Sequence, residues 1–260
     1  MSFVTSGVFH IDDYIDGWTI PGAFYGTPYS SAVVESGGTL ISGTILSGGN
    51  ITVESNGFAI SNTFSGGTLT IENGAHLSGI SIDKSATAIF LSGSNEYYSG
   101  VVLDGGTISA YNSPPYFSWG SNGGALILES GVVDTSENPL AGSASIIVNS
   151  GAQLSSVALS SGNALTVNSG GSVANATINS GATAVFSAGA IESATLNGGT
   201  IDAYNSPPLL SWTSSGGSLI LESGVVDTSE NPPAGAAIID VRSGATLVSA
   251  TLLSENALGI

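Results

Sequence analysis

The side chains able to do acid–base or metal chemistry in this chain are few and scattered. Acids gather as Asp12, Asp13 and Asp16 near the start, and as the pairs Asp134/Glu137 and Asp227/Glu230. Hydrolysis of a glycoside needs two carboxylates held about 5–9.5 Å apart. Both pairs run into Asn-Pro, so they read as turn formers in loops. Elimination chemistry needs a positioned cation, and Lys84 and Arg242 are the only two. His10 and His76 are far apart and have no companion ligands at zinc spacing, so each reads as a solvated or packed imidazole. Asp12, Asp13 and Asp16 have the ligand chemistry for calcium, but the Gly-Gly-x-Gly-x-Asp nonapeptide of calcium-binding solenoids is absent. Serine is abundant, yet no His paired with a carboxylate is in place to activate one. The expectation is a protein without catalytic residues, metal or cofactor. A polysaccharide-active β-helix enzyme remains the reading these acids would serve.

The better contact chemistry is aromatic. Tyr111, Asn112, Tyr116, Phe117 and Trp119 surround the diproline Pro114-Pro115, and Tyr204, Asn205 and Trp212 surround Pro207-Pro208. Flat rings beside amides suit a sugar ring or a protein surface. The bland alternative is that these rings fold back over the body of the protein. The second group has Leu209-Leu210 where the first has Tyr116-Phe117, so the first is expected to bind better.

Composition narrows the partners. The 260 residues carry 2 Lys plus Arg against 19 Asp plus Glu, a formal net charge of −17. Only Lys84 and Arg242 could neutralise phosphates, so ordinary nucleic-acid binding is excluded, and anionic membrane surfaces repel the chain. Charged residues make up only 8%, leaving Ser, Thr and Asn to face water. Hydrophobic residues reach 42%, too many for disorder, and no apolar run approaches about 20 residues, so no membrane insertion is expected. There is no Cys, hence no disulfide.

What must position these groups is a repeat on two scales. Residues 105–167 realign on residues 198–260 at a constant shift of 93 residues without a gap. Inside this lies a shorter rhythm, with Asn149-Ser150-Gly151 and Asn168-Ser169-Gly170 opening 19 residues apart. Between such marks lie short runs of Val, Ile, Leu and Thr that alternate. Leu165 and Val167 share one face with Thr166 on the other; Leu69 and Ile71 flank Thr70, and Ile51 and Val53 flank Thr52. Period-2 runs closed by Asn/Ser-Gly are strands, and no sustained helical spacing occurs. A coil this short cannot bury its own apolar face and must stack on its neighbours. The reading is all-β: a single-stranded parallel β-solenoid, one elongated body with two strands and two corners per coil. Right-handedness is the expectation for parallel crossovers. Residues 1–30, rich in aromatics and outside the rhythm, are expected to cap it, with the solenoid over residues 31–260. The diproline inserts Tyr111 to Gly124 and Tyr204 to Gly217, and the excursions from Asp134 and Asp227, should leave the stack as loops, since diproline cannot lie inside a sheet.

The segments Val34 to Gly49 and Leu165 to Gly181 resemble the strand-loop-strand repeats of bacterial autotransporter passengers, of the diffuse-adherence adhesin type. The likeness covers most of residues 31–260 outside the inserts. It implies a secreted or cell-surface β-helical adhesin, often self-associating and sometimes glycosylated on Ser or Thr. The first residues lack a basic region followed by an apolar run, so no signal peptide is visible. The last coil stops inside the long repeat, so the chain is expected to continue, with an export domain downstream.

Three functions compete on these grounds. The first is a rigid adhesin stalk that binds copies of itself, or surface glycans and matrix. The second is a filament or spacer assembling end to end. The third is the polysaccharide-active enzyme.

Overall fold

The computed structural model describes residues 8–11, 14–17, 19–20, 31–91, 98–111, 117–134, 142–204, 212–227, 236–248 and 257–260. Every regular element among them is a β-strand. The chain divides into two compact units, Met1–Ile127 and Leu128–Ile260. Each is a parallel β-solenoid.

In the first unit the alternation read from sequence becomes two columns of buried side chains. Strand Ser31–Val34 pairs in parallel with Asn50–Val53, which pairs with Gly67–Ile71, then Ala86–Phe90, then Thr107–Ala110. The register stacks Ala32, Ile51, Leu69, Ala88 and Ile108 in one inward column, and Val34, Val53, Ile71, Phe90 and Ala110 in the next. All ten are buried. Because neighbouring strands lie about 4.8 Å apart, one side chain per coil fills each column, and Phe90 stands beside the small Ala110 of the next coil.

The coil has three strands and three corners, not two. After Thr39–Ile41 the chain bends at Ser42 and continues as Thr44–Ile45; one coil on, Phe58–Ile60 bends at Ser61 into Thr63–Phe64. Ser42 and Ser61 both have φ of 54°, and Gly79 and Gly100, at the corresponding bends, have 64°. Asn62 follows the bend and turns inward. Its Oδ1 accepts from Gly43 N at 2.7 Å and its Nδ2 donates to Leu40 O at 3.1 Å, so the corner of the coil before it is held by a buried amide.

Stacking also reaches into the first thirty residues. Val8–Ile11 pairs with Ser31–Val34, Tyr14–Asp16 with Thr39–Ile41, and Thr19–Ile20 with Thr44–Ile45. These partners are more widely spaced in sequence than those of later coils, which hides the repeat from a periodicity search.

The second unit repeats the scheme. Ser145–Val148 pairs with Ala164–Val167, then with Thr183–Phe186, Thr200–Ala203, Ser218–Leu221 and Ile238 onward. Ile146, Leu165, Ala184, Ile201, Leu219 and Ile239 form one buried column; Val148, Val167, Phe186, Ala203 and Leu221 form another. On the opposite side the bend is absorbed into longer strands. Gln153–Leu159 pairs with Ser172–Asn179, and the in–out alternation slips at Ser155–Ser156.

The corners explain the Asn/Ser-Gly marks. In Asn149-Ser150-Gly151-Ala152 the amide of Ala152 donates to Asn149 O at 3.0 Å, and Gly151 has φ of 78°. Only glycine takes that conformation without strain. A Cβ there would also lie 2.8 Å from Ser130 Oγ of the preceding coil. Successive turns are bonded directly, with Gly131 N donating to Gly151 O and Gly151 N to Gly170 O.

The 93-residue repeat maps strand on strand. Val133–Asp134 matches Val226–Asp227, Ala144–Val148 lies within the match to Ala236–Val241, and Gln153-Leu154 matches Thr246–Leu247. Gly105, Gly124, Gly131 and Gly151 and their counterparts Gly198, Gly217, Gly224 and Gly244 all have positive φ.

Candidate contact surface

The corner that follows the second buried column carries the residues singled out for contact. Tyr111 follows Thr107–Ala110, and its amide donates to Phe90 O at 2.9 Å. It is 41% exposed, with exposed Leu91 in the same place one coil earlier. Tyr204 occupies the equivalent position after Ala203 and is 38% exposed. Its hydroxyl donates to Asp202 Oδ2 at 3.0 Å, a bond for which Tyr111 has no equivalent, because Ser109 stands at the matching position. That bond, with the Asp202 charge, raises the phenol's pKa above its ordinary 10.0.

The inserts are shorter than the sequence suggests. Phe117–Ser121 is a strand, paired in parallel with Tyr98–Asp104, with Phe117 opposite Tyr98 and, past a one-residue register shift, Trp119 opposite Val101. Trp212 begins the strand Trp212–Leu221 and pairs with Ala194. The chain therefore rejoins a sheet at Phe117 and at Trp212, before Gly124 and Gly217. The backbone can do so because Pro stops the ladder only where a strand amide is needed, and Phe117 onward has no Pro. Asn112, Tyr116 and Asn205 lie outside the described residues.

Of the candidate acids, Asp134 lies in a strand and is buried. Asp227 is in the matching strand, and Glu137 and Glu230 fall outside the described residues. So do Asp12 and Asp13, whereas Asp16 ends a strand. His76 is stacked on Phe58 with ring centroids 4.5 Å apart and planes at 8°. The pair comes from consecutive coils at one register position. No group of three His, Cys, Asp or Glu able to hold a metal occurs among the described residues.

Outward positions are mostly hydroxyl and amide rows. In the first unit Asn50, Thr68, Thr87 and Thr107 follow one another in register, as do Thr44, Thr63 and Ser81. In the second unit the rows are cross-linked. Asn149 Nδ2 donates to Glu129 Oε2 at 3.0 Å, and Asn168 Nδ2 to Asn149 Oδ1 at 2.7 Å. At another corner Asn179 Nδ2 donates to Leu159 O, Asn197 Nδ2 to Asn179 Oδ1, and Ser215 Oγ to Asn197 Oδ1. These bonds span 18 to 20 residues, one coil each. An amide both donates and accepts, so such a spine can continue from coil to coil.

A charged group that motif reading missed sits farther along the Glu129–Asn149 corner. Arg242 Nη1 donates to Glu222 Oε1 and Nε to Asp240 Oδ2 at 3.3 Å. The nearby Asp202 carries a buried Oδ1 without a hydrogen-bond partner. The signal was in the sequence as a difference between copies: Asp202, Asp240 and Arg242 replace Ser109, Ile147 and Asn149.

This architecture has a counterpart among solved structures. A crystal structure of a hyper-glycosylated fragment of TibA, residues 55–350, glycosylated by TibC, superposes with a TM-score of 0.53 at 22% identity. The match covers 98% of this chain and 92% of that one. At this identity the likeness is one of fold. No family model and no curated protein matches the sequence.

Proposed function

We propose that this chain is a secreted or cell-surface β-solenoid of the adhesin type, which holds to copies of itself or to surface glycans and matrix. The carrying observation is the set of outward Ser, Thr and Asn rows, repeated at the strand spacing and almost free of cations. A row of hydroxyls and amides offers one weak hydrogen-bonding site per coil, and many weak sites on one body add through avidity. The rows themselves carry no charge, so contact between two of them desolvates no ion. The fold shared with a glycosylated TibA fragment supports the same reading, and it makes the exposed Ser and Thr candidates for sugar attachment.

We also infer that the chain works without catalysis. Arg242 is engaged by two carboxylates and His76 is stacked on Phe58, so neither is poised against a substrate.

Serial removal of whole coils, scored by aggregation of bacteria displaying the chain, tests the proposal. Aggregation should fall steadily as coils are removed. Unchanged aggregation after half the coils are gone would overturn it. Electron microscopy of the purified protein separates adhesion from assembly, since fibres would favour an end-to-end filament.

A further inference from the structure

The two copies of the long repeat treat one corner differently, and the difference is concerted. Residues 126–134 and 219–227 are identical, so Glu129 and Glu222 stand in the same setting. The partner one coil on is Asn149 in the first copy and Arg242 in the second. Both reach the glutamate: Asn149 through Nδ2 at 3.0 Å, Arg242 through Nη1. Their backbones are bonded alike, with Asn149 N to Leu128 O and Arg242 N to Leu221 O, each at 2.9 Å. Two residues before the arginine, Ile147 has become Asp240, which takes the Nε of Arg242. Asp240 and Arg242 share a strand face because they lie two residues apart. A neutral amide link has thus been replaced by a base held between two acids.

We propose that Glu222, Arg242 and Asp240 form an ionic-strength-sensitive latch, fastening the strand Ala236–Val241 to the strand Trp212–Leu221. Two properties distinguish it from the amide link. Arginine has no acceptor, so Arg242 cannot take a bond from a following coil as Asn149 takes one from Asn168. Its attraction is also screened by salt. Arg242 is 49% exposed and Glu222 16%, which puts the pair within reach of mobile ions but not wholly in bulk water. The latch therefore holds firmly in dilute medium and loosens as salt rises, while the corner at Asn149 is indifferent.

Amide hydrogen exchange on the intact chain tests this, because the two corners are internal controls for each other. Between low salt and about 1 M NaCl the Debye length shrinks to about 3 Å. Protection of the Arg242 amide, divided by that of the Asn149 amide, should fall about two- to fivefold. The ratio cancels the general effect of salt on a chain of net charge −17. In the R242N variant, where Glu222 and Asp240 are left without their base, the ratio should no longer fall with salt, while protection at Asn149 reports that the unit still folds. A ratio that is constant in the native protein, or a fall with salt that persists in R242N, would overturn the latch.

Discussion

Replacing Asn62 by Ala should be among the most damaging single changes outside the apolar columns. Asn62 is 1% exposed, and its amide holds two backbone groups of the preceding coil, Gly43 N at 2.7 Å and Leu40 O at 3.1 Å. Alanine leaves the Gly43 amide without a partner where water does not reach, and it takes one donor from Leu40 O, which stays in the parallel ladder with Phe58–Ile60. An orphaned buried amide costs about 1–3 kcal/mol. Lost packing adds to this, and relaxation of the Ser42 bend subtracts from it. The bend itself gives little slack, since Ser42 already has φ of 54° and its amide is bonded to Ile60 O. A solenoid opens locally, so hydrogen exchange at the Gly43 and Thr63 amides is a better gauge than a global melt. The Thr63 amide donates to Gly43 O and so reports on the same corner. Both should lose about five- to thirtyfold in protection, the equivalent of about 1–2 kcal/mol. A loss below fivefold at both would refute the claim that this amide, and not the surrounding ladder, holds the bend.

Other substitutions probe separate links. Ala188 stands at φ of 56° in a turn whose equivalents use glycine, as at Gly170. A left-handed alanine costs about 1–2 kcal/mol, and glycine gives back part of that through its freer unfolded chain. Ala188→Gly should therefore stabilise the second unit by about 0.5–1 kcal/mol in urea unfolding, and a destabilised variant would contradict the geometry. Asp202→Ser should lower the Tyr204 phenol toward 10.0, read by NMR titration of the ring, because the bond from its hydroxyl to Asp202 is what raises it. A group whose pKa is higher in the folded state adds stability that is complete below its unfolded pKa and vanishes as pH climbs through the folded value. The native protein should therefore lose this contribution only above pH 10, and an unmoved phenol in the variant would exclude Asp202 as the cause.

The ladders are legible in the repeat itself. Leu165 and Val167, Leu69 and Ile71, and Ile51 and Val53 are all buried as their alternation requires. Glycines of the Asn/Ser-Gly marks sit where φ is positive at Gly151, Gly162 and Gly170 among others, while at Asn56-Gly57 the asparagine takes that conformation. The third corner escapes a reading of the residues because its left-handed position changes type, serine at 42 and 61 and glycine at 79 and 100, and the strand after each serine is only two residues long. A two-residue strand carries no period. The strand Phe117–Ser121 is hidden by the diproline ahead of it, which signals a loop without saying where the loop ends. The latch is invisible to motif reading because its members come from two coils, and only the stacking register brings Glu222 beside Arg242. The aromatic candidates divide along the same line. Tyr111 and Tyr204 can be placed by counting from the preceding strand, and both are exposed. The residues within the inserts have no such anchor.

The chain departs at Tyr111 and is back in a sheet by Phe117, while the ladder beneath, Thr107–Ala110 on Ala86–Phe90, keeps its register throughout. Corners of this kind work as ports. Extra sequence entered there lengthens an excursion at a cost that grows only with the logarithm of its length. An epitope tag or a small foreign domain grafted after Tyr111 or Tyr204 should ride on the scaffold without disturbing the pairing of the strands before it.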